Sequence, residues 1–344
     1  MRVALDAMGG DDAPSINIDG AIAAVKIQKG LEVILVGVEP VLRKQLEERK
    51  WKGSGITIEH APDVVKMDDP PSLAVRRKKD SSMRRAFDLV RDGKADAVVS
   101  AGNSGAMMGM ALFLLGRAEG VDRPAFAALI PSYDKPFLLL DAGANVDCNT
   151  DNIIQFALMG SAYSRMVLGI EKPRVSLLSI GEERMKGNLL IKESSKILSS
   201  LDFDFKGNIE PKDAYLGDAD VIVCDGFVGN IFLKTSEGLA EFVMKLLKRE
   251  MSRSLTAKMG YLFVRSVFKN VKKETAYDEY GGAPLLGIKG ACIACHGRST
   301  SKAIMNAIKI ASEFAAKKVH NTISDDIKHI GSSNQNKEST VAAG

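Results

Sequence analysis

Short runs of β-branched and leucine residues alternate along this chain with longer stretches whose apolar residues recur every three or four positions. The short runs predict strands at 3–5, 33–36, 56–59, 97–100, 125–130, 137–140, 175–178, 203–205 and 221–224. The longer stretches predict helices at 16–28, 40–49, 82–91, 104–115, 152–168, 189–199 and 230–248. Several strands are apolar without interruption, as strands buried on both faces of a parallel sheet are, and the alternation reads as βαβ units. The fold class is therefore α/β with a largely parallel sheet flanked by helices. No repeat of fixed period is visible, which excludes a solenoid or propeller. No Gly/Ser or proline-rich linker divides residues 1–330, so any two lobes share strands or cross over more than once. The hinge is placed near 134–147, around Pro136 and the turn Asp141-Ala142-Gly143-Ala144-Asn145. The stretch 101–116 is shorter than the roughly 20 residues that span a bilayer. It carries Asn103 and Ser104 near its start and reads as a buried helix. Residues 331–344 are rich in Ser, Asn and Gln and read as a disordered tail.

A chain of 344 residues suits two α/β lobes or one large unit. With 45% hydrophobic and 26% charged residues it is neither disordered nor fibrous. The net charge of +4 comes without a zinc-finger spacing or an aromatic-basic RNA motif, and nucleic acid is not an expected partner. Four scattered cysteines, and a first strand with no apolar signal core before it, point to reduced thiols and a cytoplasmic location.

The clearest chemical pattern is a strand running into glycines and a small polar residue, then into a helix. It occurs at Ser100-Ala101-Gly102-Asn103-Ser104-Gly105 and again at Cys224-Asp225-Gly226-Phe227-Val228-Gly229-Asn230. Glycines let backbone N–H groups approach a ligand while the helix N-terminus favours an anion. Asn103 and Asn230 also read simply as helix N-caps. A third pair, Gly9-Gly10, follows Asp6, and a fourth, Gly281-Gly282, follows Tyr280. Four such loops are expected to converge on one crevice at the carboxyl ends of the strands. Neither a Walker motif nor Gly-x-Gly-x-x-Gly after the first strand is present, which disfavours an NTPase or an ordinary dinucleotide site.

These loops closely resemble the bacterial phosphate acyltransferases of the PlsX type, and the match runs nearly end to end. It rests on Asp6-Ala7-Met8-Gly9-Gly10-Asp11, on the loop from Ser100 to Ala106, and on Asp141-Ala142-Gly143-Ala144-Asn145. It continues through Ser179-Ile180-Gly181-Glu182-Glu183, Lys186-Gly187-Asn188, the loop from Asp225 to Asn230, and Glu279-Tyr280-Gly281-Gly282. The resemblance implies a three-layer α/β/α fold similar to phosphate acetyltransferases and isopropylmalate dehydrogenases, a homodimer, and no metal or cofactor. It implies transfer of a long-chain acyl group from acyl-carrier protein to inorganic phosphate, giving acyl phosphate for phospholipid synthesis. A functional link follows to the glycerol-3-phosphate acyltransferase that consumes acyl phosphate.

By the same resemblance Lys186 binds phosphate and offsets transition-state charge. Asn230 orients phosphate or polarises the thioester carbonyl, and His296 hydrogen-bonds phosphate or assists proton transfer. Asp6, Gly9, Gly10, Asn103, Ser104, Gly105, Asp225, Gly229, Gly281 and Gly282 line the substrate site. Cys292-Ile293-Ala294-Cys295-His296 matches a haem-attachment spacing, but packing explains the cysteines better, because no export signal accompanies them and no second Cys/His pair completes a zinc site. Arg76-Arg77-Lys78-Lys79 reads as a solvated face or a docking site for the acidic carrier protein. Basic and apolar residues interleave over 245–275, resembling a helical hairpin whose stems pair across a dimer while its tip touches an anionic membrane peripherally. Two rivals remain: a phosphate acetyltransferase acting on short acyl-CoA, and a two-lobed anion-binding protein without catalysis. A dehydrogenase is a distant third.

Overall fold

The computed structural model describes residues 1–275 and 281–329. The expected tail, together with Glu279 and Tyr280 of the last motif, lies outside the described residues. The strands are β1 (Arg2–Asp6), β2 (Glu32–Gly37), β3 (Ile56–His60), β4 (Ala97–Ser100), β5 (Ala125–Ile130), β6 (Phe137–Leu140), β7 (Val175–Leu178), β8 (Phe205–Ile209), β9 (Val221–Val223), β10 (Ala283–Leu286) and β11 (Ala291–Ala294). The helices are α1 (Ser15–Ile27), α2 (Glu39–Glu48), α3 (Pro71–Arg77), α4 (Ser82–Arg91), α5 (Ser104–Leu114), α6 (Thr150–Tyr163), α7 (Leu189–Leu198), α8 (Gly226–Met251), α9 (Leu255–Thr275) and α10 (Ser301–Ala316).

All these strands join in one sheet of order β3-β2-β1-β4-β11-β10-β5-β6-β9-β7-β8. The first five form one parallel block and the last four another. The three steps between them, through β10 and β5, are antiparallel, so the blocks run in opposite directions. Successive strand residues feed opposite faces: Val3 and Leu5 enter one core with α1, α6, α7 and α10, whereas Ala4 enters the other with α4, α5 and α8. Helices thus cover both faces of a mostly parallel sheet, the three-layer architecture expected.

The differences from the sequence pattern have physical reasons. The eighth strand begins where 203–205 was expected to end, because Phe203 closes a turn through its N–H to Leu201 O at 3.1 Å. It continues through Lys206-Gly207-Asn208, polar residues tolerated on an edge strand. The helix expected over 152–168 ends as α6 at Tyr163 and widens into a π-turn over Ser164–Leu168, closed by left-handed Gly169. Helix α5 buries one face only, through Ala106, Met107, Met110 and Ala111, and leaves Phe113 exposed. Helix α3 has too few turns to show a helical period, while β10 (Ala-Pro-Leu-Leu) carries a proline and β11 (Ala-Cys-Ile-Ala) only one β-branched residue, so neither reads as a strand. Helix α10, also absent from the pattern above, buries Ala303, Ile304, Ala307, Ile308, Ala311 and Phe314 at the usual helical spacing.

Candidate active site

At the carboxyl end of β1, Asp6 is fully buried and accepts the Ser100 hydroxyl of β4 at 2.7 Å and the Met8 N–H at 3.3 Å. Burial pushes its carboxyl above the usual range while these hydrogen bonds pull it back. A Cβ on Gly9 would lie 2.8 Å from Gly102 N, so the first two glycine loops meet backbone to backbone. Asn17 fixes the first loop by donating to Ala7 O and Gly9 O at 3.0 and 2.9 Å. Asp11 N donates to Gly297 O, and Cys295 N to Ser100 O, each at 2.8 Å, which draws the segment 295–299 into the group. Gly282 joins it against Ala294 O and Cys295 Sγ, while Gly281 lies against the backbone of α10.

Asn103 caps α5, as read, by accepting Ala106 N at 2.9 Å. Its amide also donates to Met67 O and Asp69 O at 3.0 Å each, tying down the loop before α3. Both ends of its side chain are thereby engaged within the protein. Ser104 is exposed at the first position of α5, and Gly105 seats Pro71. The half-buried His296 accepts the Arg298 N–H on Nδ1 at 3.1 Å, so the neutral ring carries its proton on Nε2. Burial lowers its pKa, helped by the charge of Lys234 and Arg298 and opposed by Glu237 and Asp11. Cys292 and Cys295 feed the two opposite cores, so the pair does not face one site, which agrees with the packing explanation.

The second block repeats the device. Asp141, at the end of β6, is buried and accepts N–H groups from Phe126, Gly143, Ala144 and Asn145 at 3.1, 3.1, 3.0 and 2.7 Å. Burial again pushes its carboxyl up, against those donors. The loop after β9 folds onto it so closely that a Cβ on Gly229 would overlap the Asp141 carbonyl oxygen, and only glycine fits there. The cap of α8 is Asp225, which accepts Val228 N at 2.9 Å. Asn230 is therefore not the cap: it sits in the second turn of α8, exposed, with its Cβ and Cγ 3.3 Å from where a Cβ on Gly143 would lie. Lys186 lies in the loop after β7, its stem across Gly181 and its ammonium in no ion pair among the described residues.

By direct contact the four glycine loops fall into two clusters. Gly9-Gly10, Gly102–Gly105 and Gly281-Gly282 gather with His296 on the first block. Asp225–Gly229 gathers with the Asp141 turn on the second, beside the Lys186 loop on the adjacent β7. Helix α8 links the clusters: Asn230 stands over Gly143, and Lys234, one turn on, lies within electrostatic reach of His296. Lys234, Glu237 and Arg298 carry no motif signal, since a tertiary approach of α8 places them there. A cavity of about 280 Å³ lined by Met1, Asp96, Gly290 and His320 opens at the amino ends of β1, β4 and β11, remote from these loops. The arrangement offers buried N–H-rich turns, two lysines and an imidazole N–H, equipment for an anion and for a developing oxyanion.

The family model for "Fatty acid synthesis protein" matches residues 1–322. A phosphate acyltransferase of Geobacter sulfurreducens is 52% identical over 328 residues, 95% of this chain and 94% of that protein. One of Thermodesulfovibrio yellowstonii is 51% identical over 327 residues, with the same two coverages of 95% and 94%. Among solved structures, a phosphotransacetylase from Streptococcus pyogenes aligns with a TM-score of 0.62 at 18% identity, over 92% of this chain and 94% of that one. A branched-chain phosphotransacylase from Enterococcus faecalis V583 aligns with a TM-score of 0.55 at 15% identity, over 92% and 99%. These structures share the fold.

Proposed function

We propose, from the premise that this chain belongs to the PlsX-type family of fatty acid synthesis proteins, that it transfers a long-chain acyl group from acyl-carrier protein to inorganic phosphate. A phosphate oxygen attacks the thioester carbonyl carbon, the C–S bond breaks, and the thiol leaves with the proton that phosphate brought. Phosphate supplies its own anionic nucleophile, so the protein needs to position it, exclude water and stabilise the oxyanion. Lys186 holds phosphate and offsets charge, Asn230 polarises the carbonyl or orients phosphate, and His296 offers Nε2–H across the cleft from α8. The other loop residues named above shape the cleft by backbone, and no metal or cofactor enters the reaction. The product acyl phosphate serves phospholipid synthesis through a glycerol-3-phosphate acyltransferase. In this reading residues 1–330 are one catalytic unit of interleaved lobes, working as a cytoplasmic homodimer in peripheral contact with anionic membrane.

The observation that carries the reading is the linkage of both loop clusters by α8, with Asn230 and Lys186 on neighbouring strand ends of one block. Thiol release from palmitoyl-carrier protein, with and without phosphate, tests it. Release in wild type is expected to depend on phosphate. Lys186→Ala and Asn230→Ala should each lose about 3–4 kcal/mol of barrier lowering, roughly 100- to 1,000-fold in rate. Phosphate binding without thioester cleavage would instead favour the binding-protein reading.

A further inference from the structure

Helix α3 has two unlike faces, and its seat on α5 decides which one looks outward. Pro71, Ala74 and Val75 share the inner face. A Cβ on Gly105 would lie 2.8 Å from Pro71 Cγ, one on Gly109 would lie 2.9 Å from Val75 Cγ2, and Ala74 is buried. Two glycines of α5 thus make room for this face. Leu73, Arg76 and Arg77, spaced three and four residues apart, occupy the opposite face and are exposed, and the exposed Lys79 follows them. The Asn103 amide holds the loop before α3 through Met67 O and Asp69 O. Met67 Cε lies 3.3 Å from where a Cβ on Gly297 would stand, one residue from His296. The outer face of α3 is therefore mounted beside the first loop cluster. Charge around it is unevenly paired. Lys78 meets Asp69 at 2.7 Å, Arg84 meets Asp88 at 3.4 Å and Arg85 meets Asp80 at 2.7 Å, whereas Arg76, Arg77 and Lys79 form no ion pair among the described residues.

We propose that this face docks the acidic carrier protein that brings the acyl thioester. Arg76, Arg77 and Lys79 meet carboxylates of the carrier, the exposed Leu73 and Met67 give the contact an apolar centre, and the thioester enters at the first loop cluster. Charge complementarity carries the assignment. Three cations within four residues repel one another and have no carboxylate of their own, so a partner rich in acidic groups relieves that repulsion, is steered toward the face and is held in one orientation. Arginine adds paired, planar contacts to carboxylates, which a lysine cannot make. Position separates this face from a membrane contact. The cations of α3 surround one exposed leucine, whereas the apolar area that a bilayer needs lies on α8 and α9. The inference rests on the acyl-transfer reading above and adds where the donor sits, which that reading leaves open.

Fluorescence anisotropy of labelled palmitoyl-carrier protein, titrated with the full chain, tests it without relying on turnover. Wild-type affinity is expected to fall at least ~10-fold between about 0.05 and about 0.5 M salt, because the attraction is screened. Arg76→Glu/Arg77→Glu should bind at least ~10-fold more weakly at low salt and lose most of that salt dependence. Arg76→Gln/Arg77→Gln removes the charges without reversing them and should show a smaller loss in the same direction. Lys50→Glu/Lys94→Glu makes the same change in net charge as the arginine reversal, but before the amino ends of β3 and β4, and should bind as wild type does. Equal weakening by the two glutamate pairs overturns the docking face, since net charge alone would then govern the encounter. Full affinity in the glutamine pair, or no binding by wild type, overturns it whether or not the reversed protein folds. If the arginine variants keep the carrier and lose anionic vesicles instead, the face meets a bilayer and the proposal falls. Thiol release run beside the titration keeps the two proposals apart. Charge-sensitive docking without phosphate-dependent release sinks the reaction alone, and release with binding indifferent to α3 sinks the docking face alone.

Discussion

At the scale of single residues, His296 shows how position sets a chemical role. Its Nδ1 accepts the Arg298 N–H, so the neutral ring carries its proton on Nε2. Burial holds its pKa below the ordinary 6.5, and a folded state that prefers the neutral ring contributes stability above that value. The contribution is lost as pH falls through 6.5 toward the folded pKa. Following the His296 ring protons by NMR across pH should therefore give a titration midpoint below 6.5. A midpoint at or above 6.5 would contradict the burial. Asn230 shows what sequence alone mistakes. Asparagine before a helical stretch reads as a cap, yet the helix starts four residues earlier behind Asp225, because the Asp141 turn needs Gly226 and Gly229 inside the first turn. The strand ends holding Asp6 and Asp141 were legible as motifs. Their burial under a neighbouring glycine loop was not, since it arises from pairing across the sheet.

At the scale of elements, the same cross-strand logic decides which polar residues hold the scaffold. Asn103 closes α5 and ties the loop before α3 through three bonds of 2.9 to 3.0 Å. Asn103→Ala removes a cap worth roughly 0.5–2 kcal/mol and leaves two carbonyls short of a donor, so a loss of about 2–3 kcal/mol is expected. Urea unfolding measures it as a lower midpoint at unchanged slope. A change under about 0.5 kcal/mol would mean that water replaces the amide. The neighbouring basic run divides in the same way. Lys78 turns inward to Asp69 at 2.7 Å and Val64 O at 2.6 Å, whereas Arg76, Arg77 and Lys79 stay exposed. A run of four cations in sequence does not tell which one the fold uses. Uninterrupted apolar strands were readable because burial on two faces writes itself into every residue, while β8 carries Lys206-Gly207-Asn208, β10 a proline and β11 a single β-branched residue.

At the scale of the whole molecule, α8 and α9 leave a broad apolar surface on a single chain. Leu239 and Phe242 on α8 are each 60% exposed and Phe263 on α9 is 85% exposed, more than an isolated soluble subunit ordinarily shows in one place. No helix among the described residues is long and apolar enough to cross a membrane. In the reading proposed above, this surface meets another subunit or the face of a bilayer. The sequence reading assigns both, with stems pairing and a hydrophobic tip touching anionic lipid. Phe242 on α8 and Phe263 on α9 lie at nearly the same distance from the turn between Met251 and Leu255, where Arg249 and Arg253 are exposed, so variants at the two positions ask which helix pairs and which meets lipid. Sedimentation should find wild type as a dimer and Phe242→Asp as a monomer. Phe263→Asp should remain a dimer but lose most of its flotation with anionic vesicles, and raising salt should release wild type from them, because the basic part of the attraction is screened within about a Debye length. If Phe263→Asp also dissociates the dimer, the whole hairpin is subunit interface and the membrane contact falls. If neither variant changes assembly while both lose vesicles, the hairpin is a lipid-facing element and the dimer, where there is one, forms elsewhere on the molecule.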